Sequence, residues 1–268
     1  MMAKIFSGIL VLTVLWTLSS CKVSKAQQSD SSEADLPMAS LKDLKKNKEG
    51  AYILFDGTSL KGWRGYGRAD VPGKWSIEDG SLKFSGKVAN MADSEGGDII
   101  FAHRFKNFEL SFDWKISKGG NSGVFYLAQE IKGKPIYISA PEFQVLDNES
   151  HPDAKQGKNG NRKSASLYDM IPAQPQNAKP FGEWNSSKIV VNNGKIAHYQ
   201  NGVKVVEYTV WDDSWVALLE DSKFSSAKWP EAFGLLKNLG GSDKSGFIGL
   251  QDHRDDVWFR NITVKVLK

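Results

Sequence analysis

The 268-residue sequence contains little of several residue types that carry chemistry in other proteins. It has one cysteine, Cys21, and four histidines. A single cysteine excludes an intramolecular disulfide and a zinc site built from several cysteines. The chain also lacks a Gly-x-Ser-x-Gly nucleophile elbow, a phosphate-binding loop and a dinucleotide fingerprint. These absences disfavour a serine-triad hydrolase and an enzyme that itself carries out nicotinamide chemistry.

The chain also lacks a strong excess of either charge. It has 35 Lys and Arg against 31 Asp and Glu, a net charge of +4. Proteins that bind nucleic acids through the phosphate backbone concentrate basic residues far more strongly. We therefore expect a surface of mixed charge and no nucleic-acid partner.

A predominantly apolar run at the N-terminus, residues 5–18, is too short to span a bilayer comfortably. It follows Lys4 and precedes small residues, which is the pattern of an export signal. The Leu18-Ser19-Ser20-Cys21 box resembles a bacterial lipoprotein signal, in which residues 1–20 are removed and Cys21 is lipidated. The protein would then be exported and held at the cell envelope, periplasmic or outer, through the lipid alone. A simple signal peptide with an incidental cysteine is the alternative.

The composition of the chain changes near residue 50. Residues 22–49 are rich in Lys, Ser, Asp, Glu and Gln and have few large apolar side chains, so they bury too little surface to offset the entropy of ordering. We predict a flexible tether over residues 21–49. Residues 50–268 are rich in aromatic and β-branched residues and predict a single domain.

Hydrophobic periodicity in this domain favours strands. Apolar and polar residues alternate without a break from Phe108 to Ile116, which is the period of a strand with one face on the core. Similar short strands are predicted at 52–55, 75–78, 81–84, 98–101, 123–127, 141–146, 187–191, 195–200, 203–208, 246–251 and 257–266. Two segments differ: residues 229–238 have helical spacing and predict a short helix or loop, and the polar residues 148–163 predict a long surface loop.

Asx-Gly pairs separate several of these strands, and such pairs favour tight hairpin turns. The pairs are Asp56-Gly57, Asp79-Gly80, Asn193-Gly194 and Asn201-Gly202. Many short strands joined in this way predict an all-β fold with two antiparallel sheets packed as a sandwich.

The segment Glu142-Phe143-Gln144-Val145 is the strongest candidate for a functional strand. Alternation places Glu142 and Gln144 on one face and Phe143 and Val145 on the other. If the Phe143 face packs on the core, an acid and an amide face outward, where they can bind a polyhydroxylated ligand and supply a general base. A solvated glutamate on an ordinary sheet face is the alternative.

Other candidates are less specific. His253 follows a predicted strand, and its near-neutral pKa suits proton transfer as well as a structural hydrogen bond. His198 falls within a predicted hairpin, which indicates a surface or sheet-packing residue. The oxygen-rich residues 147–153 could hold a divalent cation, calcium, although they lack EF-hand spacing, and we identify no certain cofactor. Trp184, after a Pro-rich stretch, could present a platform on which a sugar stacks.

Several short motifs together resemble one family, the 3-keto-disaccharide hydrolases, also described as 3-keto-glucoside 1,2-lyases and 2-hydroxy-glucal hydratases. The resemblance runs in order from about residue 51 to residue 266. The motifs are Leu54-Phe55-Asp56-Gly57, Leu60-Lys61-Gly62-Trp63, Asn121-Ser122-Gly123, Glu142-Phe143-Gln144-Val145-Leu146-Asp147-Asn148, Gly182-Glu183-Trp184-Asn185, Asn201-Gly202, Gly249-Leu250-Gln251-Asp252-His253 and Phe259-Arg260-Asn261-Ile262.

The resemblance implies a jelly roll of the concanavalin A-like lectin and glucanase type, and it implies glycoside substrates that a separate sugar 3-dehydrogenase has oxidised at C3. A C3 ketone acidifies the C2 proton, so a base can start β-elimination of the C1 substituent, and water can then add. We expect Glu142 and His253 to be base and acid, in either order, and Asp147 to orient the site or bind a cation. The expected sugar-binding residues are Asn121, Gln144, Tyr168, Trp184 and Gln251. A non-catalytic, lectin-like carbohydrate-binding module is the alternative.

Overall fold

The structure is a computed structural model that describes residues 36–268. The predicted signal peptide, the predicted lipidation site at Cys21 and the first part of the predicted tether lie outside the described residues. Within residues 36–268 no helix has the length and apolar character needed to cross a membrane.

The described residues form thirteen strands and two α-helices, connected by loops and short 3₁₀ turns. The strands are β1 (Tyr52–Ile53), β2 (Trp63–Gly65), β3 (Trp75–Glu78), β4 (Ser81–Phe84), β5 (Ile99–Phe105), β6 (Phe108–Ile116), β7 (Asn121–Ala128), β8 (Glu142–Leu146), β9 (Asn185–Asn192), β10 (Lys195–Gln200), β11 (Val203–Thr209), β12 (Gly246–Leu250) and β13 (Val257–Val266). The helices are α1 (Asp213–Glu220) and α2 (Pro230–Lys237). The 3₁₀ turns are Leu41–Asp43, Asp93–Glu95, Ile136–Ile138 and Pro152–Lys155.

In the described part of the chain, these strands make two antiparallel sheets. The large sheet has eight strands in the order β11-β10-β9-β6-β13-β4-β3, with β1 also paired to β13. The small sheet has five strands in the order β2-β5-β12-β7-β8. The predicted two-sheet jelly-roll sandwich of the concanavalin A-like type is therefore confirmed.

Strand β6 shows how the sequence pattern forms the core. Phe108, Leu110, Phe112, Trp114 and Ile116 are all buried, and the residues between them are half-buried. The inward side chains pack with those of the small sheet; for example, the Phe112 and Phe143 rings meet edge to face at 5.4 Å. Burial of this continuous apolar layer between the sheets holds the sandwich together.

Three of the four Asx-Gly pairs are hairpin turns. Asp79-Gly80, Asn193-Gly194 and Asn201-Gly202 have positive φ at both residues and join β3 to β4, β9 to β10 and β10 to β11. This is the geometry that a two-residue turn needs to match the strand twist. The prediction was wrong for Asp56, whose carboxylate instead accepts hydrogen bonds from the backbone N–H groups of Thr58 and Ser59.

The two faces of the small sheet have different surroundings, and this difference determines where the candidate site lies. Its inner face packs on the large sheet. On its outer face, one half is apolar and buried beneath the Ile136–Ile138 turn, and includes Ile100, Phe125 and Phe247. Ile136 approaches so closely that a Cβ at Gly249 would lie 2.7 Å from its Cδ1 atom. The other half of the outer face, at the β7, β8 and β12 ends, is polar.

The predicted tether is corrected for residues 36–49, which pack against the domain. The Ala39 N–H donates to the Ala102 carbonyl at 2.6 Å, and Arg64 Nε donates to the Pro37 carbonyl at 3.0 Å. Lys46 pairs with Tyr52 in an isolated β-bridge. Composition misled the prediction because backbone groups, which every residue has, take part in these hydrogen bonds, and because the few apolar side chains Ala39, Leu41 and Leu44 pack against the core.

The sequence patterns missed β2 and α1. β2 has three residues, too few to display an alternation. α1 is a short helix whose start carries a recognisable signal, since the Asp212 carboxylate accepts a hydrogen bond from the Trp215 N–H at 2.9 Å. Residues 229–238, predicted as a helix or loop, contain α2, with Trp229 at the N-cap and a proline in the first turn.

Candidate active site

A cleft of about 280 Å³ opens on the polar half of the small sheet's outer face. Six of the residues predicted to form the site line it: Asn121, Glu142, Gln144, Tyr168, Gln251 and His253. Tyr137, Lys223 and Trp229 complete the lining. The cleft therefore gathers side chains from β7, β8, the ends of β12 and α2, and three loops.

Glu142 lines the cleft with a buried carboxyl group whose environment favours its protonated form. It is only 9 % exposed, on the outer face of β8 as the alternation predicted. Burial raises the pKa of Glu142 to about 8; the positive charge of Lys223 opposes this rise, and Asp98 and Asp153 add to it. A carboxyl with a pKa near the working pH can both accept and return a proton.

A row of amides connects Glu142 to His253. The Gln144 amide nitrogen donates to Glu142 Oε1 at 3.0 Å and to the Ser122 carbonyl oxygen at 2.9 Å. With the Gln144 amide turned the opposite way, its nitrogen instead donates to Asn121 Oδ1 at 3.3 Å. The amide nitrogen of Asn121 is 3.4 Å from Nε2 of His253. These contacts fix the orientation of the carboxyl group and leave His253 at the exposed end of the row.

The Glu142 side chain lies directly over the backbone of Gly123 on the neighbouring strand. A Cβ at Gly123 would be 2.2 Å from Glu142 Oε1 and 2.8 Å from its carboxyl carbon, far inside van der Waals contact. Glycine at this position therefore makes room for the carboxylate. The Asn121-Ser122-Gly123 motif contributes both a polar side chain and this space.

Lys223 faces Glu142 in the cleft, and sequence patterns missed it. Its Nζ lies 4.4 Å from the centre of the Tyr168 ring and 5.0 Å from that of Phe224. Among the described residues, none forms a hydrogen bond or an ion pair with the Lys223 ammonium group. Burial lowers the pKa of Lys223, while Glu142 and Asp169 act in the opposite direction. The geometry leaves a cation available for an electronegative atom of a ligand.

A network of charged side chains holds the Lys223 loop in place. The Lys223 N–H donates to Asp169 Oδ2 at 2.7 Å. Arg162 donates to Asp169 at 2.6 Å and to Asp153 at 2.8 Å. The Tyr168 hydroxyl donates to the other oxygen of Asp153 at 2.9 Å. Residues 148–163, predicted as a long surface loop, therefore contribute side chains that hold Tyr168 and the Lys223 loop beside the cleft.

Two aromatic residues at the rim replace the predicted tryptophan platform. Trp229 stacks on Phe224, with ring centres 6.1 Å apart, and meets the ring of Tyr137 edge to face at 6.0 Å. Tyr137 is 36 % exposed. Flat rings beside polar groups suit a sugar, whose C–H faces are apolar and whose hydroxyls are polar.

Trp184 does not reach the cleft, so its predicted role at this site is corrected. It precedes β9 in the large sheet, where the Arg260 guanidinium lies 4.0 Å from the centre of its ring and Lys115 Nζ 5.1 Å. Both partners belong to strands of the large sheet, and Trp184 packs with them there. Strand pairing, which the local sequence does not encode, placed this tryptophan on the other sheet.

Asp147 also lies outside the cleft lining. Its carboxylate accepts hydrogen bonds from the backbone N–H groups of Gly119, Glu149 and Ser150, at 2.7, 3.1 and 3.3 Å. Burial raises the pKa of Asp147, but these hydrogen bonds outweigh it and leave the pKa below its ordinary value. With these contacts, the side chain orders the loop that follows β8.

Gln251 has a carbonyl oxygen without a hydrogen-bond partner among the described residues, although the side chain is only 8 % exposed. Leaving a buried acceptor unpaired is costly. Since Gln251 lines the cleft, a ligand hydroxyl could satisfy this oxygen.

Comparisons with known proteins show the family to which the chain belongs. Residues 50–265 match the family described as the 3-keto-alpha-glucoside-1,2-lyase-like domain. The chain belongs to this family. A 3-keto-disaccharide hydrolase from Bacteroides thetaiotaomicron is 53% identical over 99% of this chain and 100% of its own length. The present protein is accordingly a glycoside hydrolase.

Two solved structures from Parabacteroides distasonis are similar to the present protein. One is 28% identical with a TM-score of 0.70, and the similarity covers 82% of this chain and 95% of that one. Another is 27% identical with a TM-score of 0.57, over 76% of this chain and 99% of that one. Both share the sandwich fold described above.

Proposed function

We propose that this protein cleaves glycosides that carry a ketone at C3, by removing the C2 proton and eliminating the C1 substituent. The observation that carries the proposal is the pairing in one cleft of a buried carboxyl group, Glu142, with an ammonium group, Lys223, that has no partner among the described residues. An enolate mechanism needs these two groups: a base for a carbon acid and a cation for the oxyanion.

In the first step, the Glu142 carboxylate takes the proton from C2. The electrons of the C2–H bond form a C2=C3 double bond, and the negative charge moves to the C3 oxygen. Lys223 stabilises this oxygen. A donor of this kind typically contributes about 10²–10³-fold to the rate.

In the second step, the C3 carbonyl re-forms and a C1=C2 double bond develops as the C1–O bond to the aglycone breaks. The leaving oxygen takes up a proton, and Glu142, now carrying the C2 proton, can return one. Addition of water across C1=C2 then yields the free 3-keto-sugar, so the net reaction is hydrolysis. The cleft residues Gln144, Asn121 and Gln251 can hydrogen-bond the sugar hydroxyls.

An ordinary glycosidase mechanism is less well supported by the cleft. That mechanism uses two carboxyl groups, about 5–9.5 Å apart, on either side of the glycosidic bond. Glu142 is the one carboxylic acid among the described residues that line the cleft, and an amide, Gln144, follows it on the same face of β8. The name of the Bacteroides thetaiotaomicron relative supports a 3-keto-disaccharide as substrate.

The test is to incubate the protein with a 3-keto-glucoside and with its unoxidised parent in deuterated water, and to follow C2 exchange and aglycone release by NMR. We expect release from the keto-sugar alone, with deuterium at C2 of the product. The Lys223→Met variant should release aglycone about 10²-fold more slowly. The control is Lys155→Met, which changes an exposed lysine of the Pro152–Lys155 turn and should match the wild type.

Release of aglycone from the parent glycoside at the same rate as from the keto-sugar would contradict the enolate mechanism. Saturable binding without turnover of either sugar would identify a carbohydrate-binding module instead.

A further inference from the structure

Beside the cleft, His151, His253 and Asp255 form a cluster that the mechanism above does not use. One nitrogen or oxygen atom from each lies within 4.8 Å of the corresponding atoms of the other two. The two imidazole rings meet edge to face, with their centres 6.2 Å apart. His253 belongs to the cleft lining, so the cluster adjoins the space in which a sugar would bind.

The surrounding backbone holds the three residues at this distance. His151 caps the Pro152–Lys155 turn, and its N–H donates to the Asp147 carbonyl oxygen at 3.0 Å. The Asp255 carboxylate accepts a hydrogen bond from the Asn121 N–H at 3.1 Å. His253 and Asp255 lie two residues apart in the turn between β12 and β13. The cluster therefore joins two loops that also carry cleft residues.

Two imidazoles and one carboxylate are a ligand set for a transition-metal ion. Such three-residue sets leave coordination positions open to water or substrate, as in catalytic zinc and non-haem iron sites. Metal–ligand bonds of about 2.0–2.2 Å place neighbouring donor atoms about 3–4 Å apart. A separation within 4.8 Å thus needs only a small inward movement, and the His253 side chain is exposed.

We propose that His151, His253 and Asp255 bind one divalent transition-metal cation at the edge of the cleft, and that its open coordination positions take oxygen atoms of the sugar. Its contribution to the reaction rests on the proposed function, but the binding of the metal does not. In the reaction, the cation would fix the sugar relative to Glu142 and withdraw charge from an oxygen that it holds.

Metal binding should also change the turn at His151. Nδ1 of His151 now accepts a hydrogen bond from the Asp153 N–H at 3.1 Å, so in the neutral ring the proton is on Nε2. Coordination through Nδ1 uses the same lone pair, and coordination through Nε2 moves the proton to Nδ1. Either arrangement releases the Asp153 N–H, whose hydrogen exchange should become faster.

The first measurement is equilibrium dialysis of metal-free, untagged protein against Zn²⁺, Mn²⁺ or Co²⁺, followed by metal analysis and by the visible spectrum of the cobalt form. We expect about one equivalent of bound metal. His253→Asn and Asp255→Asn should weaken binding by more than about 100-fold, since losing even an outer-shell partner costs 10–100-fold. His103→Asn is the matched control, because His103 lies on β5 and its Nδ1 contacts the Ala39 carbonyl; this variant should bind metal like the wild type.

Several outcomes would overturn the proposal. These are no stoichiometric binding of any of the three ions, equal binding by the His253 and Asp255 variants, and unchanged exchange of the Asp153 amide in the metal-bound protein. The cobalt spectrum should also shift when a 3-keto-glucoside is added; turnover without any shift would contradict coordination of the sugar. Stoichiometric metal binding by a protein that leaves every keto-sugar intact would instead contradict the proposed function and leave the metal site standing.

Discussion

Two buried polar clusters lie on opposite faces of the small sheet and differ in how completely their hydrogen bonds are made. On the inner face, the Tyr126 hydroxyl is 2.7 Å from Nε2 of His198 and 2.6 Å from the Tyr208 hydroxyl, and His198 Nδ1 is 2.9 Å from the Ala165 carbonyl oxygen. Burial lowers the pKa of His198 to about 4, so the ring is neutral and each of its nitrogens has a partner.

The outer cluster, in the cleft, is left incomplete. The ammonium group of Lys223 has no hydrogen-bond partner among the residues described, and neither has the side-chain carbonyl oxygen of Gln251. Both Glu142 and Lys223 have pKa values shifted towards their neutral forms, primarily by burial. Strand β7 contributes to both clusters, with Tyr126 on one face and Asn121 and Gly123 on the other. The difference indicates that the inner cluster stabilises the fold, whereas the outer cluster awaits a ligand.

The largest expected effect is on turnover, from the Glu142→Gln substitution. Loss of the base should lower kcat for a 3-keto-glucoside by about 10²–10⁴-fold. The amide has nearly the shape of the protonated carboxyl group, so the melting temperature should remain close to that of the wild type. Glu149→Gln, in the exposed loop after β8, is the control. A Glu142→Gln variant with full activity would remove Glu142 from the mechanism.

The Gly123→Ala substitution disturbs the outer cluster without changing its functional groups. The new Cβ would collide with Glu142 Oε1 and displace the carboxylate. A misplacement of about 1 Å can lower kcat by about 10²-fold. Steady-state kinetics should show this loss in kcat rather than in KM, with a circular dichroism spectrum that matches the wild type. Unaltered kcat would mean that the carboxylate does not need its position over Gly123.

The pH dependence of kcat/KM should reflect the shifted groups of the outer cluster. Glu142 must be deprotonated to act as a base, and its raised pKa moves the acid limb well above the 4.5 of an ordinary glutamate. Lys223 must be protonated, and its lowered pKa brings the alkaline limb below 10.5. At pH values below the acid limb, kcat/KM should fall about tenfold per pH unit. The apparent pKa values of the two limbs describe the coupled Glu142–Lys223 pair rather than either residue alone. An acid limb near pH 4.5 would contradict this assignment.

The smallest effect on activity is expected in the inner cluster, where Tyr126→Phe removes a hydroxyl between two partners. The substitution should lower the free energy of unfolding by about 1–3 kcal/mol, because buried partners lose a hydrogen bond, and should lower the melting temperature by about 2–4 °C per kcal/mol. kcat should remain near the wild-type value. Tyr199→Phe, on a half-buried tyrosine of β10, provides the comparison. A large fall in kcat at constant stability would mean that the two clusters are coupled through β7.

Much of this organisation follows from local sequence patterns. The unbroken alternation in β6, the three Asx-Gly hairpin turns and the two faces of β8 depend on the strand period and on backbone preferences within a few residues. These local rules placed Glu142 and Gln144 on an outward face and Phe143 in the core. The ordered motifs of the family then linked Asn121, Gln251 and His253 to the same site, although they are far apart in the chain.

Only the tertiary structure decided which distant side chains meet. Lys223 follows a helix that the patterns missed, and it lines the same cleft as Glu142 because Asp169 and Arg162 hold its loop. Trp229, with helical spacing in the sequence, forms the rim of the cleft, while Trp184 packs on the other sheet. The amino-acid sequence by itself determined the strands and their faces, since these depend on neighbouring residues. The partners of each face depend on sheet order and loop packing, which arise from contacts between residues far apart in the chain.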